Sequence, residues 1–276
     1  MTRGPSRLVR ALSSALAAGS LLITTACSGD GGEDGSRVSG LTASQAAGKR
    51  QTPSPSPTAP LTENGARTAL ITEADIEDDW TQVKDTEAEK WHDGLLIGTV
   101  DVSDFLTARA DAADCQRLMN SLFDDDLLGK PSGANALRGF EQGDSRLLHQ
   151  VASYGRTGPQ ESLDWMATLP EKCDQFTMTE DGEQRTVQVI ETSLPRAGDT
   201  REGLRVTVQG TTGGMAATLT LDVAAVRVGD DAITVTAGGL HGDEHDSLEQ
   251  AVRIGTQRLN DVLAGKTPSP APSEVQ

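Results

Sequence analysis

The stretch His241-Gly242-Asp243-Glu244-His245 contains the residue types that come nearest to a catalytic site in this chain. It fits the spacing H-x-x-E-H, in which two imidazoles hold zinc and a glutamate assists hydrolysis. That chemistry needs both histidines one turn apart on a helix, plus a further ligand. Here Gly238 and Gly239 precede the stretch, Gly242 interrupts it, and the next helix is predicted to begin at Asp246. We therefore interpret the HGDEH stretch as a solvated loop. The alternative function, a secreted metal-dependent hydrolase, would use this stretch to bind its metal ion.

Other residues that could do chemistry are isolated or have a structural explanation. Asp124–Asp126 lack the spacing of a calcium loop and are better read as an acidic run at a helix end. His92 and His149 are isolated, while Glu161 and Asp164 stand beside a helix start, where carboxylates stabilise the helix dipole. The sequence contains no G-x-S-x-G, P-loop, G-x-G-x-x-G or C-x-x-C pattern. We predict no catalytic residue, no metal ligand and no cofactor.

The three cysteines are an odd number, and a secreted protein normally pairs its thiols. The first ten residues contain three arginines and no acidic residue. A weakly apolar run follows from Ala11 to Ile23, and the segment, residues 1–26, ends in small residues. This is the pattern of a secretory signal peptide, and the apolar run is too short to span a membrane.

The pair Ala26-Cys27 resembles the lipobox of bacterial lipoproteins, although Thr24 stands where leucine is usual. The resemblance implies that Cys27 becomes the lipid-modified first residue of the mature chain. Acyl chains on Cys27 would anchor the protein at the outer face of the bacterial cytoplasmic membrane. The alternative is an ordinary signal peptide that is cleaved after Ala26 and leaves a free thiol.

Two segments have the composition of disordered chain. Residues 27–60 are rich in Ser, Pro and Gly with almost no bulky apolar side chains, and residues 265–276 form a second Ser/Pro segment. A flexible coil as long as the first segment spans roughly 30 Å, so it can act as a tether. The residues between them, 61–264, are sufficient for a single folded domain.

Composition excludes several classes of partner. The formal net charge is −17, and aromatic residues make up 3% of the chain. An acidic surface repels nucleic acid phosphates and anionic lipid headgroups, and few aromatics are present to stack on bases or sugars. We predict that the domain binds no nucleic acid and meets the membrane only through its lipid anchor.

The hydrophobic pattern places helices at both ends of a strand-rich middle. The predicted elements are a short helix at 70–76 capped by Thr72, a strand at 95–102, a helix at 108–123, strands at 136–141 and 145–154, a helix from Pro159 to Cys173 interrupted at Pro170, strands at 185–191, 204–208, 219–223 and 233–235, and a closing amphipathic helix with Asp246 as N-cap. A change of phase between Val223 and Val226 predicts a β-bulge at Ala224-Ala225. The fold class is α+β, a mainly antiparallel sheet flanked by helices, with one face of the sheet covered.

Cys115 and Cys173 lie on the apolar sides of two predicted helices. If Cys27 is lipidated, these two thiols are an even pair in an oxidising compartment, which favours an inter-helix disulfide. Two unrelated core thiols are the alternative.

Five segments of the chain carry a resemblance to a known family: ALITEADIEDDW, ADCQRL, SLDWMATLPEKCDQF, AVRVGDDAITVTAGG and the closing helix. Together they resemble the extracellular sensor-domain family of the mycobacterial kinase PknH and its free-standing lipoprotein relatives. Over residues 61–264 the resemblance implies an antiparallel sheet flanked by helices, with a disulfide joining two of them. Cysteines for a second disulfide, which that family often has, are missing, and no kinase or transmembrane segment accompanies the domain, so kinase control does not carry over.

The sequence thus favours a membrane-anchored extracytoplasmic lipoprotein with a non-catalytic domain. That domain would sense or bind a ligand in a cleft between sheet and helices. The ligand would be a small molecule or a component of the cell envelope, and the sequence does not name it.

Overall fold

A long antiparallel sheet carries most of the chain in the computed structural model, which describes residues 60–76, 79–97, 100–155, 158–180, 182–212, 214–240, 242 and 244–269. The strands are β1 (Thr81–Gln82), β2 (Leu96–Ile97), β3 (Val100–Asp101), β4 (Arg109–Ala110), β5 (Asn135–Gln142), β6 (Ser145–Ser153), β7 (Gln175–Glu180), β8 (Glu183–Glu191), β9 (Thr200–Thr212), β10 (Met215–Val228) and β11 (Asp231–Gly239). Within these residues the main sheet has nine strands in the order β1-β5-β6-β11-β10-β9-β8-β7-β4, and all neighbours are antiparallel. The predicted fold class is confirmed.

Helices lie on both faces of this sheet. They are α1 (Glu63–Ala69), α2 (Asp85–Ala88), α3 (Ser103–Thr107), α4 (Ala113–Asn120), α5 (Gly158–Met166), α6 (Leu169–Lys172) and α7 (His245–Leu263), with a 3₁₀ turn at Glu73–Asp75. One face is covered by α3–α6 and is called here the disulfide face. The other is covered by α1 and α7 and is called the α7 face.

Strand β10 shows how the two faces are filled. Leu221 and Val223 belong to the core of the disulfide face, while Val226 and Val228 belong to the core of the α7 face. The prediction of a sheet with one covered face is therefore wrong.

The predicted β-bulge is wrong for the same reason. Ala224 pairs with Val235 and Ala225 pairs with Thr234 without a skipped residue. Consecutive apolar residues here point to opposite faces, and both faces are buried, so an unbroken strand produces the change of phase.

The strands predicted at 204–208, 219–223 and 233–235 are longer in the structure, as β9, β10 and β11. Three other predicted elements are shorter or of another kind. The helix predicted at 108–123 is α4, Ala113–Asn120, because Arg109 and Ala110 instead pair with β7 at the sheet edge. The strand predicted at 95–102 is the small hairpin β2–β3. The helix predicted at 70–76 is a 3₁₀ turn, in which the backbone N–H and the hydroxyl of Thr72 both donate to Asp75 Oδ2 at 2.8 Å.

The disulfide between Cys115 and Cys173 is present and confirms the predicted pairing. Cys115 lies in α4 and Cys173 directly follows α6, and both residues are fully buried. The preceding residues reinforce the bridge, because Lys172 Nζ lies 2.8 Å from Asp114 Oδ2. This hydrogen bond is the main cause that lowers the pKa of Asp114, followed by one from Trp165.

Candidate functional site

A row of side chains crosses three neighbouring strands where the α7 face is open. Ile190 of β8 is the register partner of Arg205 of β9, and Arg205 is the partner of Asp222 of β10. Residues directly opposite each other in an antiparallel sheet point to the same face. The three side chains therefore share the α7 face.

A bidentate ion pair forms the centre of this row. Arg205 Nε lies 2.8 Å from Asp222 Oδ1, and Arg205 Nη2 lies 2.8 Å from Asp222 Oδ2. The Asp222 side chain is 1% exposed, whereas the Arg205 side chain is 26% exposed. The carboxylate is thus buried beneath a guanidinium that reaches the surface, and the fork geometry fixes that guanidinium.

Helix α7 begins beside this ion pair. Its N-cap is Glu244, two residues before the predicted N-cap Asp246, and its first residue is His245, so the prediction of Asp246 as N-cap is wrong. The Ser145 hydroxyl donates to Glu244 Oε1 at 2.5 Å, which ties the helix start to strand β6. His245 therefore occupies a fixed position on the first helical turn.

The imidazole of His245 lies between two carboxylates. Nδ1 is 4.0 Å from Asp222 Oδ2, and Nε2 is 3.5 Å from Glu249 Oε1 on the next turn. Nδ1 is buried and has no hydrogen-bond partner within the described structure. A charged imidazole here would have acidic neighbours on both sides.

The opposite wall is the segment that follows β8. The backbone N–H of Thr192 donates to Gly203 O at 3.0 Å, and Leu194 packs over the same glycine. A Cβ on Gly203 would lie 2.7 Å from the Thr192 carbonyl oxygen, so the close approach requires glycine. Between this wall and α7 lies an open groove of about 320 Å³, lined by Ile190, Thr192, Arg205, His245 and Asp246.

The groove combines one apolar side chain with groups that hydrogen-bond and carry both signs of charge. Arg205 is balanced by buried Asp222, and the first helical turn adds the imidazole of His245 and the carboxylate of Asp246. Such a lining can orient a small polar molecule, which is the property of a binding site.

The residues of the HGDEH stretch are only partly described. His245 lines the groove, while His241 and Asp243 lie outside the described residues. Among the side chains that are described, no group of three or more His, Cys, Asp or Glu is arranged to hold a metal ion.

The acidic run Asp124–Asp126 follows α4 and borders a second cavity of about 300 Å³. Asp125 Oδ2 accepts a hydrogen bond from Asn135 Nδ2 at 2.9 Å. Burial, followed by its neighbour Asp124, raises the pKa of Asp125. The run therefore lies in the turn after α4, beginning four residues beyond the last helical residue Asn120, and not at the helix end that the sequence predicts.

The remaining sequence candidates are apart from the groove. His92 Nδ1 lies 3.1 Å from Leu122 O, and Glu161 stands in the first turn of α5 as predicted. Asp164 accepts from Gln160 Nε2 at 2.8 Å on the same helix. His149 is fully buried beneath α7. The predicted signal peptide, Cys27 and most of the two Ser/Pro segments lie outside the described residues.

Sequence reasoning missed Ile190, Thr192, Arg205 and Asp222. Arg205 and Asp222 interrupt apolar strands as single charges of opposite sign, and that was the available signal. Only the register of β9 and β10 reveals that they are partners.

Two solved structures are similar to the chain. The extracellular domain of PknH from Mycobacterium tuberculosis is 12% identical with a TM-score of 0.43, covering 74% of this chain and 98% of that one. A protein from Mycobacterium smegmatis, the Rv0999 ortholog, is 14% identical with a TM-score of 0.40, covering 75% and 98%. No protein-family model matches the chain, and no curated protein does.

The first similarity agrees with the resemblance stated from the sequence. None of the described helices is long and apolar enough to cross a membrane.

Proposed function

We propose that this chain is a lipid-anchored extracytoplasmic protein whose domain binds a small ligand without catalysis. The observation that carries the binding function is the groove beside the start of α7. In this groove, the row of side chains Ile190, Arg205 and Asp222 on the sheet lies between the first turn of α7 and the segment that follows β8.

The lining sets the class of ligand. Arg205 pairs with buried Asp222, and Asp246 adds a carboxylate on the first turn of α7, so the groove presents both a guanidinium and a carboxylate to a ligand. Exposed Ile190 offers one apolar contact, and Thr192 offers a hydroxyl. We expect a neutral or zwitterionic small molecule with several hydrogen-bonding groups and a short apolar part.

The anchor rests on the residues around Cys27. A basic start, an apolar run and small residues lead to Ala26-Cys27, and a segment rich in Ser, Pro and Gly follows. A chain tethered in this way would present its domain on the outer side of the membrane.

Mass spectrometry of small molecules released from the folded domain tests the groove. Ile190→Trp should fill the groove and displace a compound that co-purifies with the unmodified domain. Met215→Trp is the matched control, because Met215 is also an exposed apolar residue (71%, against 43% for Ile190) but does not line the groove. Retention of the compound by Ile190→Trp, or no compound specific to the unmodified domain, would contradict the proposal.

Detergent-phase partitioning tests the anchor. The Cys27→Ala chain should move to the aqueous phase, whereas a chain with both Cys115→Ala and Cys173→Ala should stay with the detergent. Cys27→Ala protein that still enters the detergent phase would refute lipidation at this residue.

A further inference from the structure

His149 lies at the centre of the α7 face without a hydrogen bond. It is 0% exposed, and neither Nδ1 nor Nε2 has a partner in the described structure. Its register partners are Arg138 of β5 and Val235 of β11. Gly255 of α7 lies directly above, since a Cβ on that glycine would be 2.5 Å from His149 Nε2. The helix therefore rests on the imidazole at a point where it has no side chain.

The charged groups that face this imidazole are mostly cationic. From β5, Arg138 donates through Nη1 to Ile71 O at 2.9 Å. From α7, Arg258 Nη1 lies 3.1 Å from Asp75 Oδ2 in the 3₁₀ turn, and Nη2 donates to Thr68 O of α1 at 3.0 Å. The Nε atoms of both arginines are buried without a partner among the described residues. Asp75 and, from α2, Asp85 are the carboxylates that act on Arg138, whereas the charged groups that act on His149 itself are the two arginines, so a third positive charge there would have no counterion of its own.

We propose that His149 is an acid-sensitive latch: its neutral imidazole lets α7 seat on the sheet, and its protonation releases the helix. A charged imidazole would be desolvated, unpaired and close to two guanidiniums. Opening of α7 exposes it to water and removes these costs.

The sign of the pH effect follows from proton linkage. Burial, with smaller contributions from Arg138 and Arg258, lowers the pKa of His149 to about 3. In the open state the imidazole regains its ordinary pKa of about 6.5. Between these values only the open state binds the proton, so the seated helix is fully stable above about pH 6.5 and loses stability as the pH falls.

The latch connects two ends of the molecule. At its start α7 carries His245 and Asp246, which line the groove, and near its end Arg258 holds α1 and the 3₁₀ turn. Opening of α7 would therefore disturb two regions at once. These are the groove and the N-terminal part of the domain, where α1 and the 3₁₀ turn follow residue 60. The groove part of this consequence rests on the proposed function, whereas the latch itself does not.

Hydrogen exchange of the amides in α7, measured by mass spectrometry on the ligand-free domain and corrected for intrinsic rates, tests the latch. The opening equilibrium constant should rise up to about tenfold per pH unit below pH 6.5, reaching about 100-fold at pH 4.5 relative to neutral pH. His149→Leu should remove this component, and His92→Gln, which changes a histidine outside the α7 face, should retain it.

A second measurement uses the unmodified domain, so the test does not depend on the folding of the His149→Leu variant. The ¹⁵N resonances of His149 should report a neutral imidazole at pH 5 in the folded state. Titration of His149 near pH 6.5, or an equal pH dependence in His149→Leu and the unmodified domain, would overturn the proposal. Because no ligand is present, neither result depends on whether the groove binds one.

Discussion

Two adjacent residues of β6 point to opposite faces of the sheet, and their buried side chains differ in hydrogen bonding. Gln150 points to the disulfide face, where Nε2 donates to Asp125 O and to Asn135 Oδ1, each at 2.9 Å, and Oε1 accepts from Thr234 Oγ1 at 3.0 Å. His149 points to the α7 face and has no hydrogen bond to any described residue. Of these two buried side chains, Gln150 on the disulfide face is therefore hydrogen-bonded through both ends of its amide, and His149 on the α7 face is unpaired.

This difference separates a scaffold from a responsive surface. A satisfied network together with a disulfide makes a rigid face. On the α7 face helix α7 covers an unpaired histidine and begins beside an open groove, and such elements open at lower free energy. We therefore expect ligand binding and the response to pH on the α7 face, where a buried histidine has no hydrogen bond and the groove is open to solvent.

The largest expected effect comes from breaking the disulfide face. Replacing Cys115 and Cys173 by Ala should lower the free energy of unfolding by about 4 kcal/mol, the chain-entropy value for a separation of 58 residues. Urea unfolding at neutral pH measures it. A loss below about 1 kcal/mol would show that apolar packing, and not the bridge, makes this face the stable one.

Breaking the ion pair of the groove should cost somewhat less. Arg205→Met leaves the Asp222 carboxylate buried without its bidentate partner, and we expect a loss of about 3 kcal/mol. The double change Arg205→Met with Asp222→Leu should recover most of it, since no charge then stays buried. Equal stability of the single and double variants in urea would mean that the pair does not stabilise this end of the α7 face.

A change at the contact between Gly255 and His149 should have the smallest effect on the free energy of unfolding. Its sign is informative, because it should be opposite to the sign that is usual for this substitution in a helix. Alanine in place of a helical glycine normally stabilises by about 1 kcal/mol. Here the added Cβ meets Nε2 at 2.5 Å, and overpacking should outweigh that gain, for a net loss of about 1–2 kcal/mol. With His149→Ala as background, Gly255→Ala should become neutral or stabilising in thermal unfolding. Stabilisation by Gly255→Ala alone would contradict the seating of α7 on the imidazole.

Features set by local pattern were predictable from the sequence. The closing helix follows from its apolar periodicity, although its N-cap is Glu244 and not the predicted Asp246. The turns at Gly143 and Gly229 follow from residue type, and both glycines have positive φ. The pair Cys115–Cys173 is favoured by the apolar helical positions of both cysteines, together with the assumption that Cys27 is lipidated.

Features set by long-range pairing were not predictable. The false bulge at Ala224-Ala225 arose because one strand contributes to two cores. The partnership of Arg205 with Asp222 depends on strand register, which single charges in two strands do not reveal. From the sequence His149 is an isolated histidine. Its complete burial depends on the packing of α7 against β6, which the sequence pattern of β6 does not reveal.

Native-state hydrogen exchange in increasing urea at pH 7.5 tests the contrast between the faces most directly. We predict that amides of α7 exchange through an opening that costs clearly less free energy than the one exposing α4. The amides of α4 should exchange only with global unfolding. Exchange of both helices at the same, global free energy would contradict the assignment of α7 as the responsive element.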